Sequence, residues 1–161
     1  QHHQCRMEVG TTPASGTPWR LHIPAACTVE VKDLDGTRTA VDLGRVLPDP
    51  VILQRTTGRA AYQVASLCDD LDLRIDLIVR GADLLPSTAC QLHLAAVVGA
   101  TGFQAVRFHH HALLRGTDGE KLSKSAGAAS LRAMRLAGEG PSALIDAASR
   151  CVDGLLVKLN V

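Results

Sequence analysis

Between Ala60 and Gly99 the chain changes periodicity twice, and that alternation constrains the fold more than any other feature. Ala61, Val64, Ala65, Cys68 and Leu71 fall near the i, i+3, i+4, i+7 spacing of one helical face. The spacing predicts a helix over Ala60 to Leu73. Ile75 to Val79 (IDLIV) is a short apolar run of the kind that fills a buried parallel strand. It ends at Arg80-Gly81, ADLLPST follows as a polar turn, and a second helix is expected from about Ser87 to Val98, stopped by Gly99. Helix, strand, turn, helix is the grammar of an α/β fold. In such sheets ligands bind at the carboxyl ends of strands, and Arg80 stands at one.

The flanks are less regular. Residues 1–18 are polar and rich in Gly, Ser, Thr and Pro, which reads as a loop or frayed end. From Trp19 to Val46 the pattern suggests short strands: LHIPAA, then CTVEVKDL with Val29 and Val31 alternating against Glu30 and Lys32, a DGT turn, and TAVDLGRV. After Pro48 and Pro50, Val51 to Arg55 is a further strand-like piece. Phe103 to Leu114 predicts another strand and carries His109, His110 and His111. Neighbours on a strand face opposite sides, so the three imidazoles do not converge on one metal. One facing a site, with the others packed or solvated, is the better reading. Ser130 to Ala137 and Ser142 to Leu156 have helical patterns, with Gly138 closing the first and Pro141 opening the second.

Composition removes several classes of function. The 161 residues suffice for one cored domain, with or without an appendage. A net charge of +1 gives no global basic field for a nucleic acid, and 2% aromatics disfavours a base-stacking platform. The five cysteines form no CxxC pair and are odd in number, so buried reduced thiols in a cytoplasmic protein are expected. No apolar run reaches the roughly 18 residues of a membrane span, so no membrane partner is expected. His2, His3 and Cys5 are zinc-type ligands, but three at one end do not close a tetrahedral site.

Arg115 to Ser125 (RGTDGEKLSKS) delivers Lys121 and Lys124, interleaved with Ser123 and Ser125, at the carboxyl end of the last expected strand. Paired ammonium groups on a loop suit phosphate charge that shifts during a reaction, although a solvated surface loop has the same composition. Arg80 can grip a carboxylate in a bidentate fork, and the outward Tyr62 can fix an amine or carboxyl group. An anionic small molecule beside a nucleotide is what this constellation would hold.

KLSKS resembles the KMSKS signature of class I aminoacyl-tRNA synthetases, with Leu122 in place of the methionine. AYQVASLCDD (61–70), IVRGADLLPST (78–88), FHHHALLRGTDGEKLSKS (108–125) and the early HHQCR and WRLHIP extend the resemblance to the glutamyl-tRNA synthetase group. AYQ and RGADLL are most similar to its shortened branch, the glutamyl-Q tRNA(Asp) synthetases, which charge glutamate onto queuosine of tRNA(Asp). The resemblance implies a Rossmann-like nucleotide-binding fold whose substrates are glutamate, ATP with Mg, and tRNA, with tRNA(Asp) favoured. It implies that Tyr62 and Arg80 hold glutamate, and that Lys121, Ser123 and Lys124 bind ATP. Both lysines are expected to act in catalysis, Lys124 by steadying the triphosphate as pyrophosphate leaves. The alternatives are structural: Tyr62 fills an interhelical gap, and Arg80 pairs with Asp83 or Asp69. Cys5 matches the last cysteine of the family's zinc cluster, so zinc is expected only with further upstream ligands.

By the same resemblance, 1–46 corresponds to the inserted zinc and acceptor-end-binding segment. Residues 47–126 correspond to the second half of the catalytic domain, and 127–161 to C-terminal helices. The family's HIGH motif is absent, so the chain is expected to be a C-terminal catalytic half with an incomplete ATP site, inactive alone. The short stretch after KLSKS fits the shortened branch better than a full glutamyl-tRNA synthetase. A glutamyl-tRNA synthetase piece, or a paralogue that binds an amino acid without charging tRNA, remains the alternative. Arg132, Arg135 and Arg150 offer a modest basic face to tRNA. The oligomeric state is left open, a monomer included.

Overall fold

The computed structural model describes residues 16–113, 130–138, 140–142, 145, 146 and 149. The chain divides into two compact units, Gln1–His111 and Ala112–Val161.

In the first unit the expected α/β order is present. Strand β1 (Trp19–Arg20) pairs antiparallel with β4 (Val51–Leu53), and β2 (Thr28–Lys32) pairs antiparallel with β3 (Arg38–Asp42). Helix α2 (Tyr62–Asp72) leads to β5 (Leu77–Gly81), and a 3-10 turn leads into α3 (Leu85–Val98). Strand β6 (Arg107–His111) then pairs parallel with β5, with Arg80 opposite His110. The β2–β3 hairpin closes through Gly36 at φ 86°, a left-handed angle that glycine adopts without penalty.

Helix α3 organises the packing because it is apolar on several faces. Its Ala89 and Cys90 pack with Ile23, Val31, Val41 and Leu43, on the hairpin side. Its Leu94 and Ala95 pack with Leu67, Ile78, Phe103 and Phe108, on the side of α2 and the parallel strands. One helix thus serves two apolar clusters, as an all-round apolar pattern demands. It ends as expected at Gly99, which takes φ 73°.

Several boundaries differ from expectation for local reasons. LHIPAA is not a strand: Pro24 lacks a ladder donor, and its carbonyl instead accepts from Cys27 N at 2.9 Å to form a turn. In TAVDLGRV the strand stops at Asp42, whose carboxylate accepts from Arg45 N at 3.2 Å and caps the short helix α1 (Leu43–Val46). Ile75 belongs to the close of α2, donating its N–H to Asp70 O at 2.9 Å, so β5 starts later. The strand is not buried on both sides either, since Val79 is 47% exposed among the described residues. The stretch Thr101–Ala105 is a 3-10 turn, leaving β6 shorter than Phe103 to Leu114.

Val64 and Leu71 of the expected apolar stripe pack, partly buried, against the second cluster, but the stripe is not the whole inward face of α2. Gln63 and Leu67 are its buried residues, and Cys68 is exposed, so this thiol is not a core residue. Gln63 turns inward because its amide donates to Ser87 Oγ at 3.2 Å, a bond that apolar periodicity cannot register.

In the second unit α4 (Leu131–Leu136) is described. Ser130 Oγ caps it, accepting from Ala133 N at 3.1 Å. Arg132 and Arg135 are exposed on it. Residues 142, 145, 146 and 149 are helical, whereas Arg150 and the rest of the expected last helix lie outside the described residues.

Candidate functional site

Arg80 and the backbone of Tyr62 lie on different elements that a chain of hydrogen bonds links. Arg80 is the penultimate residue of β5, at the carboxyl end, and Tyr62 is the first residue of α2. Residues Ile78, Arg80, Phe108 and His110 share one face of the parallel pair because registered partners in adjacent strands point the same way. Arg80 is only 9% exposed, and its guanidinium carbon lies 6.0 Å from the centre of the Phe108 ring. Its Nη1 donates to Gln91 Oε1 at 2.8 Å. No ion pair among the described residues includes Arg80, so the alternative of an Asp69 or Asp83 partner does not describe this site. Tyr62 is 53% exposed and does not fill an interhelical gap.

A relay joins the two residues. Gln91 Nε2 donates to Ser66 Oγ, and Ser66 Oγ donates to the Tyr62 carbonyl at 2.7 Å. Gln91 was not singled out by the sequence, although a polar residue in the apolar run Ala89 to Val98 is a usable signal. Next to Tyr62, Gln63 Oε1 is buried and has no partner among the described residues.

The neighbouring ionisable groups feel this arrangement. Burial pushes the Asp70 carboxyl above its ordinary value, with the Arg80 charge pulling it back and Asp69 pushing the same way as burial. His110 is pushed below the ordinary imidazole value by burial, against the pull of Asp33, with Arg80 and His109 adding to the depression. Its ring lies between Asp33 Oδ2 at 3.1 Å from Nδ1 and Thr88 Oγ1 at 2.8 Å from Nε2. Of the three adjacent histidines, His110 therefore shares the Arg80 face, His109 is buried on the opposite one, and His111 is exposed.

Lys121, Ser123 and Lys124 lie outside the described residues, as do His2, His3 and Cys5. Among the described residues no group of three or more His, Cys, Asp or Glu side chains is placed to hold a metal ion. A groove of about 380 Å³ between β2 and α3, bordered by Lys32, His93, Gln104 and Phe108, includes neither Arg80 nor Tyr62. No helix among the described residues is long and apolar enough to cross a membrane.

Known proteins resemble this chain in both sequence and fold. The family model for tRNA synthetases class I (E and Q), catalytic domain, matches residues 2–152. A glutamate–tRNA ligase of Ruegeria pomeroyi is 42% identical over 102 residues, which is 63% of this chain and 22% of that protein. A glutamyl-Q tRNA(Asp) synthetase of Burkholderia mallei is 39% identical over 129 residues, 79% of this chain and 41% of that one. The chain therefore spans about a fifth of the length of the glutamate–tRNA ligases it matches. The crystal structure of a glutamate–tRNA synthetase from Elizabethkingia anophelis is 28% identical, with a TM-score of 0.56 over 67% of this chain and 21% of that chain. The α/β order and a family match that runs through nearly the whole sequence agree, and the chain belongs to the catalytic-domain family of the class I (E and Q) tRNA synthetases.

Proposed function

We propose that this chain contributes the glutamate-binding and phosphate-binding part of a glutamate–tRNA ligase activity. Glutamate is activated with ATP and then transferred to tRNA. What carries the reading is Arg80, a buried guanidinium at a strand's carboxyl end whose charge is not neutralised by an ion pair among the described residues. A carboxylate entering there meets a donor-only fork of matching geometry. The Tyr62 hydroxyl, on an exposed side chain, supplies an orienting hydrogen bond.

The phosphate chemistry falls to the KLSKS motif. Lys121 and Ser123 hold the triphosphate, and Lys124 offsets the negative charge that grows on pyrophosphate as the glutamyl-adenylate bond forms. Magnesium enters with ATP as part of the substrate. Zinc binding through Cys5 requires ligands from outside the described residues. Queuosine of tRNA(Asp) is the acceptor favoured by the similarity to the Burkholderia mallei enzyme, which extends over 129 residues. Arg132 and Arg135, exposed on α4, are candidate tRNA contacts together with Arg150.

The test is glutamate-dependent ATP–pyrophosphate exchange, followed by transfer of labelled glutamate to tRNA(Asp) with and without queuosine. With a polypeptide carrying the HIGH motif added to complete the ATP site, Arg80→Leu and Lys124→Ala are each expected to lower exchange at least tenfold. Exchange that survives Arg80→Leu unchanged removes Arg80 from glutamate binding. Glutamate binding by a folded chain with no exchange, even when a polypeptide carrying the HIGH motif is added, supports an amino-acid-binding paralogue instead.

A further inference from the structure

Gln91 occupies the centre of α3, is 0% exposed, and among the described residues its amide hydrogen-bonds with Arg80 and Ser66. A polar side chain buried that completely costs stability unless both ends of its amide are satisfied. Here they are satisfied in only one sense. A guanidinium has donors alone, so the amide oxygen must face Arg80 and the amide nitrogen must face Ser66. Ser66 accepts that proton and sends its own to the Tyr62 carbonyl, the backbone of the first turn of α2. Every proton in the relay therefore points from Arg80 toward Tyr62, with no alternative arrangement.

The choice of amide over carboxylate matters. Glutamate at this position would also accept from Arg80, with nearly the same shape, but it would neutralise the guanidinium that a substrate carboxylate needs. A neutral acceptor fixes one Nη edge and leaves the charge available on the rest of the fork. We infer that Gln91 is a positioning residue: it sets the orientation of Arg80 without neutralising it, and ties that orientation to Tyr62 through Ser66. This rests on the reading of Arg80 as a glutamate ligand, and it makes Gln91 a determinant of selectivity for glutamate over its uncharged amide.

Two substitutions of similar volume separate orientation from charge. Gln91→Met keeps the packing and removes both hydrogen bonds; Gln91→Glu keeps the bond to Arg80 and adds a negative charge. Binding of L-glutamate and L-glutamine is measured by calorimetry for each variant and for Arg80→Leu, with a thermal melt to confirm folding. Side-chain NMR of Arg80 is recorded in parallel, reading the guanidinium Nη resonances without any ligand. Gln91→Glu is expected to weaken glutamate binding about tenfold or more, an effect of about 1.4 kcal/mol. It should leave glutamine binding nearly unchanged and the Nη resonances resolved. Gln91→Met is expected to reduce the glutamate-to-glutamine preference and to collapse the Nη resonances through free rotation. Wild-type selectivity in both folded variants overturns the inference while leaving Arg80 in place. Loss of glutamate binding in neither Arg80→Leu nor the Gln91 variants instead overturns the glutamate reading. Nη resonances that are averaged in the wild-type protein overturn the positioning role whatever the ligand.

Discussion

The Asp33 carboxylate holds His110 at two points, accepting from its backbone N–H at 3.1 Å and lying 3.1 Å from its Nδ1. Beside it, Leu34 N donates to Phe108 O at 2.7 Å, and Asp33 forms a parallel bridge with Phe108. The end of the β2–β3 hairpin is thereby fastened to β6, the strand whose residues line up with Arg80. Asp33→Ala removes the acceptor and leaves a part-buried amide and imidazole proton without their partner. A buried donor stranded in this way costs about 1–3 kcal/mol. Urea unfolding should show that loss, with an unchanged midpoint ruling out the fastening role.

The same imidazole makes stability depend on pH. A neutral ring carries one proton, and since a carboxylate only accepts, that proton sits on Nδ1 facing Asp33, with Nε2 facing the Thr88 hydroxyl oxygen at 2.8 Å. Burial lowers the folded-state pKa of His110 below the ordinary 6.5, and burial does the same to His93. As pH falls through 6.5 the unfolded chain takes up these protons before the folded chain does. The stability contributed by the neutral rings is whole above that value and is lost on acidification. The melting temperature is expected to drop from pH 7.5 to pH 5.5, in part through these two groups. His110→Phe should make the drop shallower; an identical slope in that variant would remove His110 as its source.

Two cysteines should differ sharply in reactivity. Cys90 is 0% exposed, and burial, with Cys27 adding to it, pushes its thiol up to about 11. A thiol that is both inaccessible and protonated offers no nucleophile at neutral pH. Cys68 is exposed on α2. Iodoacetamide at pH 7.5, followed by peptide mass spectrometry, should modify Cys68 in the native protein and reach Cys90 only after denaturation. Equal labelling of both in the native state would contradict the burial of α3.

What the sequence disclosed and what it hid divide along physical lines. The order helix, strand, helix was legible because apolar period and Gly99 are local signals. Arg80 at a strand end followed from that order, and the family followed from motifs. The inward turn of Gln63 and the exposure of Cys68 were not legible, because a side-chain hydrogen bond to Ser87 outweighed apolar spacing. Gln91 was missed for a related reason. Its role depends on an arginine eleven positions earlier that reaches it only once β5 packs under α3. The attachment of Asp33 to His110 spans 77 positions and leaves no local trace.

Two glycine exchanges should act with opposite sign. Arg74 closes α2 at φ 54°, a left-handed angle that a side chain makes unfavourable. Its N–H donates to Leu71 O at 3.1 Å, in the place where helices commonly carry glycine. Because Arg74 is exposed, Arg74→Gly relieves the angle and forfeits little packing. It should raise stability by about 1 kcal/mol, less whatever the unfolded chain gains in freedom. Gly44 is the converse. A Cβ there would lie 2.5 Å from Pro24 O and 2.6 Å from Ala25 O, both backbone atoms that cannot swing aside. Gly44→Ala forces the turn after Ile23 away from α1 and should cost about 1–3 kcal/mol, the usual range for overpacking. Thermal melts of both variants check the pair. A stabilised Gly44→Ala would mean that the 24–27 turn does not pack on α1 as described, and a destabilised Arg74→Gly would mean that the arginine side chain holds the end of α2.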